Sequence, residues 1–218
     1  MGRARHLDRE RPSAEISIRI RLHAGDPFVE LTTLRSATAI QHRKAEQDLD
    51  LLRPSLKRDH YVALLKRFYA FHLPWEMRVA AALETELPDF FKPRKKLQNL
   101  EADLRYFGSA TEDLSRIAKC NNLPPLNSVG SVLGSVYVIE GSSLGGRILT
   151  RHFNEQLGIG PDAGCRYFSG YGDRTGPMWS AFGELMARRP PTENDEILTS
   201  AVSTFEFMGH WLGCEDNG

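Results

Sequence analysis

Histidines come first among residues that could do chemistry, because an imidazole both transfers protons near neutral pH and ligates metals. Of His6, His23, His42, His60, His72, His152 and His210, only His42 combines a central place in the first helix's apolar stripe with a carboxylate, Glu46, one helical turn later. That pair would serve either as a satisfied core histidine or as an imidazole oriented by a carboxylate for metal binding. The second unusual stretch is residues 131–153, SVLGSVYVIEGSSLGGRILTRHF, whose helical period contains Gly134, Gly141, Gly145 and Gly146. Each interior glycine costs a helix about 0.5–1 kcal/mol relative to alanine. Gly134, Gly141 and Gly145 are spaced to share one face. A face without side chains would serve either a tight helix crossing or a flat ligand lying on the backbone. Arg35, two turns before His42 on the same side, would place its guanidinium either against a ligand carboxylate or in solvent.

The elements that must position these groups are helices. Leu34, Thr38, His42, Ala45, Leu49 and Leu52 recur at steps of three and four, and Pro54 ends that run. Ser55 is a candidate cap for a second helix, and Pro74 predicts a kink or break inside it. A third helix is expected over residues 95–106, stopped by Gly108, and a fourth over residues 111–120 with Thr111 as its cap. After the glycine-rich stretch comes the loop RYFSGYGDRTGP (166–177), then helices over 178–188 and 192–212, with Thr192 and Asp195 spaced as a capping box. No alternating β-branched runs separated by Asn-Gly or Asp-Gly turns occur. The expected fold class is all-α, a single domain of about seven helices.

Composition narrows the function classes. The 218 residues carry 28 Lys+Arg against 28 Asp+Glu, a formal net charge of +0, which argues against nucleic-acid binding through a broad positive field. Cys120, Cys165 and Cys214 form no C-x-x-C spacing and predict inert, reduced thiols. No run is long and apolar enough to span a bilayer, and the N-terminus has no apolar signal core, so a cytoplasmic protein is expected. Residues 1–30 mix six arginines with acids and lack an apolar period, predicting a weakly ordered extension ahead of a helical domain at 31–213.

An imidazole on one helix and a bare glycine face on another are together what an iron porphyrin needs. Here the residues resemble those of the heme oxygenases. LRSATAIQHRKAEQ (34–47) is similar to the family's proximal helix, and EGSSLGG (140–146) to its distal helix. GYG (170–172) and the T-G-x-x-W of 175–179 resemble the phytochrome-associated bacterial branch. The resemblance implies heme as cofactor and substrate, bound through His42 as iron ligand, with Ala45 and Glu46 beside the ring and Arg35 at a propionate. It further implies that Gly141, Gly145 and Gly146 line the side where dioxygen binds, and that heme is opened to biliverdin, carbon monoxide and iron. Many members carry an aspartate immediately after the first distal glycine; this chain has Ser142, whose hydroxyl cannot act as a carboxylate base. Arg147 and Arg174 are further candidates for propionates.

No G-x-G-x-x-G nucleotide fingerprint is present. Electrons would therefore come from a ferredoxin, flavodoxin or reductase, and the product would go to a phytochrome. Lys92, Arg94, Lys95 and Lys96 read either as a solvated loop or as the docking patch of an acidic donor. The alternatives to an oxygenase are a heme carrier that leaves the ring intact and a di-iron oxidase, whose Glu-x-x-His pairs the chain does not convincingly supply.

Overall fold

A computed structural model describes residues 31–213. The expected extension at 1–30, with His6 and His23, and Cys214 lie outside the described residues. Among the described residues the chain forms eleven α-helical segments joined by short loops and 3-10 turns, and no strand. They are α1 (Leu31–Ala37), α2 (Ala39–Leu49), α3 (Arg58–Leu83), α4 (Pro88–Phe91), α5 (Leu97–Tyr106), α6 (Thr111–Arg116), α7 (Val129–Ser142), α8 (Gly146–Leu157), α9 (Arg166–Ser169), α10 (Thr175–Met186) and α11 (Asn194–Gly213). The all-α expectation therefore holds. The count of about seven does not, because two runs read as single helices are each divided and several loops contain a single helical turn.

The first division falls at Thr38, whose hydroxyl and amide both bond to the Leu34 carbonyl at 2.8 and 2.9 Å. Such back-bonding competes with regular helix, and Thr38 adopts φ −100°, ψ 5°, which separates α1 from α2. Leu52, placed on the same stripe, lies beyond α2 and is exposed. The second division is a 3-10 turn at Ser143–Gly145, between α7 and α8.

Pro74 does not interrupt α3, which runs 26 residues from Arg58. A proline strips the carbonyl four residues earlier of its helical partner. Here that carbonyl is Ala70, and the Cys120 amide bonds to it at 3.0 Å. The orphaned group is thus satisfied from a distant loop. Expected caps also differ in detail: α3 begins after Lys57 rather than Ser55, Ala110 precedes α6 with Asp113 accepting its amide at 2.8 Å, and a 3-10 turn at Pro191–Glu193 replaces the Thr192 box.

Helix α3 forms the spine of the core, contributing Tyr61, Leu65, Phe71, Trp75, Val79 and Leu83. The Trp75 indole donates to the Ser135 hydroxyl at 2.8 Å and ties α3 to α7. Helix α7 is buried along Val129–Glu140 and lies against α11. Gly134 permits that crossing, since a methyl group there would overlap the Ile197 carbonyl and press on Ser200. The short α9 is pinned by the buried Asp103 carboxylate, which accepts the Arg166 and Tyr167 amides at 2.8 and 2.9 Å. The buried thiols of Cys120 and Cys165 are pushed up by desolvation. Replacing Gly134 with alanine should lower unfolding stability by about 1–3 kcal/mol in a denaturant titration, because the obstacle is backbone and cannot rotate away.

Candidate functional site

His42 lies on α2 with its ring half-exposed. Its Nδ1 is 3.6 Å from the Glu46 carboxylate, and its ring meets Phe205 of α11 edge-on at 5.7 Å. Gln41 donates to Glu206 at 3.2 Å and fixes α2 on α11 beside it. With Nδ1 turned to Glu46, Nε2 is the nitrogen left for a ligand. Two other imidazoles are engaged elsewhere, since His152 Nε2 sits 3.1 Å from the Arg53 carbonyl and the fully buried His72 Nε2 is 2.9 Å from the Tyr167 hydroxyl, whereas His60 and His210 are exposed. Among the described residues no group of three or more His, Cys, Asp or Glu is arranged to hold a metal ion.

The four glycines separate into two classes. Gly134 is taken up by the α11 crossing, and Gly146 by packing, because a side chain there would overlap the Phe168 carbonyl. Gly141 has room, with the Trp179 ring 3.8 Å from the position a Cβ would occupy, and Gly145 faces open space. Gly134 and Gly141 keep the seven-residue spacing on α7, but different neighbours lie along that helix, α11 at Gly134 and the Trp179 ring at Gly141, while Gly145 falls in the 3-10 turn beyond it.

Tyr137 brings the two sides together. Burial pushes its hydroxyl up, and Thr38 and Arg35 beside it act in the opposite direction. His42 follows Thr38 by one turn, and Gly141 follows Tyr137 by one turn. Tyr137 thus sets the Thr38 junction ahead of the imidazole helix against α7, one turn before Gly141. Ala45 is half-buried, while Arg35 and Glu46 are exposed. Arg147 is also exposed and lies 3.9 Å from Asp173, and Arg174 stands in solvent on the neighbouring turn. Ser142 points its hydroxyl back to the Ile139 carbonyl at 2.8 Å.

Behind these glycines lies a polar cluster that the sequence reading missed. Glu140, 3% exposed at the end of α7, pairs with Arg94, lies 3.5 Å from Lys96 Nζ and accepts the Tyr171 hydroxyl at 2.5 Å. Lys96 Nζ also reaches the Ser143 hydroxyl at 2.9 Å and sits 4.2 Å above the Tyr171 ring. The basic run of 92–96 is therefore neither wholly solvated nor wholly a docking patch, since Arg94 and Lys96 are internal and only Lys92 and Lys95 face solvent. Glu76 extends the cluster, accepting the Lys96 and Leu97 amides at 2.6 and 2.8 Å. One signal was available in the sequence: a single acid in the apolar run VYVIEG must find a cation when buried.

His72 adjoins this cluster, with Nδ1 3.7 Å from Glu76. Burial holds its pKa below the ordinary value; Glu76 counters this and Lys96 reinforces it. The neutral ring belongs to the folded state, so below the ordinary value of 6.5 the unfolded chain binds more protons and stability falls as pH is lowered.

A family model described as heme oxygenase matches residues 30–213. A protein named heme oxygenase from Xanthomonas campestris pv. campestris (strain 8004) is 26% identical over 132 residues, covering 60% of this chain and 74% of that protein. The NO- and CO-bound heme oxygenase structure from Neisseria meningitidis aligns with a TM-score of 0.68 at 21% identity, covering 86% of this chain and 94% of that one. Heme oxygenase-1 from the cyanobacterium Synechocystis sp. PCC6803, solved with heme, aligns with a TM-score of 0.70 at 17% identity, covering 84% and 91%. These structural likenesses establish the shared fold. For the buried imidazole, the denaturant midpoint should fall between about pH 7.5 and about pH 5.5, and His72→Gln should flatten that slope.

Proposed function

The chain belongs to the heme oxygenase family, and from that premise we propose that it opens heme to biliverdin, carbon monoxide and iron, using dioxygen and electrons from a separate donor. The observation that carries this reading is the half-exposed His42 imidazole backed by Glu46, in a chain whose Gly145 backbone is also left open. One donor nitrogen on one side and a side-chain-free backbone on the other fit a flat iron macrocycle. Heme, when bound, supplies both the iron that activates dioxygen and the ring that is opened.

The chain's own residues then have distinct tasks. His42 would ligate the heme iron through Nε2, with Glu46, 3.6 Å from Nδ1, holding the proton there and keeping the ring oriented. A neutral imidazole would push less electron density to iron than a thiolate would. Ala45 lines the proximal side, and Arg35 pairs with a propionate from the exposed edge. Gly141 and Gly145 admit the ring and dioxygen to the backbone, while Gly146 keeps α8 close to α9. Ser142 holds its proton toward the Ile139 carbonyl and offers lone pairs rather than a carboxylate.

Electrons enter from a ferredoxin, flavodoxin or reductase, and the exposed Lys92 and Lys95 suit the edge of an acidic donor. The segments resembling the phytochrome-associated branch support biliverdin supply to a phytochrome. Among the described residues no helix is long and apolar enough to cross a membrane.

One observation favours a second reading, a heme carrier: Ser142 donates within its own helix instead of toward the open side. Purified protein supplied with heme, ascorbate or a ferredoxin system, and air should replace its Soret band with biliverdin absorption. A Soret band that persists assigns the carrier role. His42→Ala should lose the axial-histidine spectrum of the heme complex and regain it on adding imidazole. Gly145→Leu should leave the apoprotein's thermal midpoint within about 2 °C of wild type, since the site is open, yet suppress or redirect ring opening.

A further inference from the structure

Two serines follow Gly141, and their hydroxyls are tied differently. Ser142 bonds inside its own helix, whereas Ser143 reaches across to Lys96 at 2.9 Å. Lys96 is itself held from several sides: its amide by Glu76, its ammonium by Glu140 at 3.5 Å and by the Tyr171 ring at 4.2 Å. Arg94 completes the frame, pairing with Glu140, donating to the Met178 carbonyl at 3.2 Å and stacking on Phe90 at 4.4 Å. Met178 precedes Trp179, the ring beside Gly141. The cluster thus joins the start of α5, the end of α7, the 3-10 turn and α10.

A buried ammonium is a poor means of stabilising a core, since an apolar side chain of similar volume is often neutral or better. Desolvation pushes the Lys96 ammonium down and Glu140 draws it back up, as expected for a charge retained by its partner. Its value lies instead in direction. The turn it grips contains Gly145, which has no side chain to pack and nothing within contact range of its Cβ position.

We propose that Lys96 is a positioning residue: through Ser143, and braced by Glu140, it holds the Ser143–Gly145 turn in one place, so that bound heme and its distal ligand meet a single backbone surface and one ring carbon is opened. The inference rests on the oxygenase reading for its last clause, and on heme binding alone for the rest.

The test uses Ser143→Ala, which removes only the acceptor on the turn, and Lys96→Met, which removes the charge. Azide is titrated into the ferric heme complex of each, heme affinity is read by quenching of tryptophan fluorescence, folding by circular dichroism, and biliverdin isomers by chromatography. The azide dissociation constant should change by about threefold in Ser143→Ala and about tenfold or more in Lys96→Met, with heme affinity within about twofold of wild type. Where biliverdin forms, one dominant isomer should become a mixture. An unchanged azide constant in folded variants, or an unchanged isomer pattern, overturns the inference. If Lys96→Met fails to fold, Ser143→Ala decides. Wild-type protein that makes no biliverdin refutes the oxygenase reading, while the azide titration still decides whether Lys96 positions the turn.

Discussion

Glu140 enters the core at the end of an otherwise apolar helix and must be neutralised there, because an unpaired carboxylate in that setting would not stay ionised. Its partners come from three separate places in the chain: Arg94 and Lys96 before α5, Tyr171 from the loop after α9, and Ser143 indirectly through Lys96. Glu76 supplies the second acid, so two carboxylates face two cations in the same buried region. Burial raises the Tyr171 hydroxyl, and the adjoining Glu140 raises it further, so the tyrosine remains a donor. The requirement to balance Glu140 is what brings the basic loop, the GYG loop and α10 to one end of α7.

The glycines show how one residue type meets two physical demands in a single segment. At Gly134 and Gly146 a neighbouring backbone carbonyl occupies the space a side chain would need. At Gly145 nothing does, and Gly141 has only the edge of Trp179 nearby. Close packing accounts for the first pair. An open surface accounts for Gly145 only if something else comes to lie on it, and the half-exposed His42 is the imidazole available to give such a ligand its chemistry.

A long helix with a proline in its middle would normally bend away from a straight course. In α3 the Ala70 carbonyl finds the Cys120 amide, and the helix runs on unbroken past Pro74 and carries Trp75, His72 and Glu76 to their partners on α7, α9 and α5. Pinning of α9 by Asp103 completes the arrangement, since α9 is both the surface Gly146 packs on and the source of Tyr167. Packing and polar satisfaction are here the same set of contacts seen from different residues.

By itself, the sequence determined the helical class, through periodicity and the lack of strand signals, and it identified His42 with Glu46 and the glycine-rich segment as the unusual chemistry. Those are local properties, readable from spacing along one helix. Whether a given glycine packs or stays open, where Pro74's lost partner is replaced, and that Arg94 and Lys96 are internal depend on residues far away in the chain. Only the tertiary structure decided these, because burial and charge pairing are set by which elements meet, and the partner of Glu140 lies some 45 residues before it.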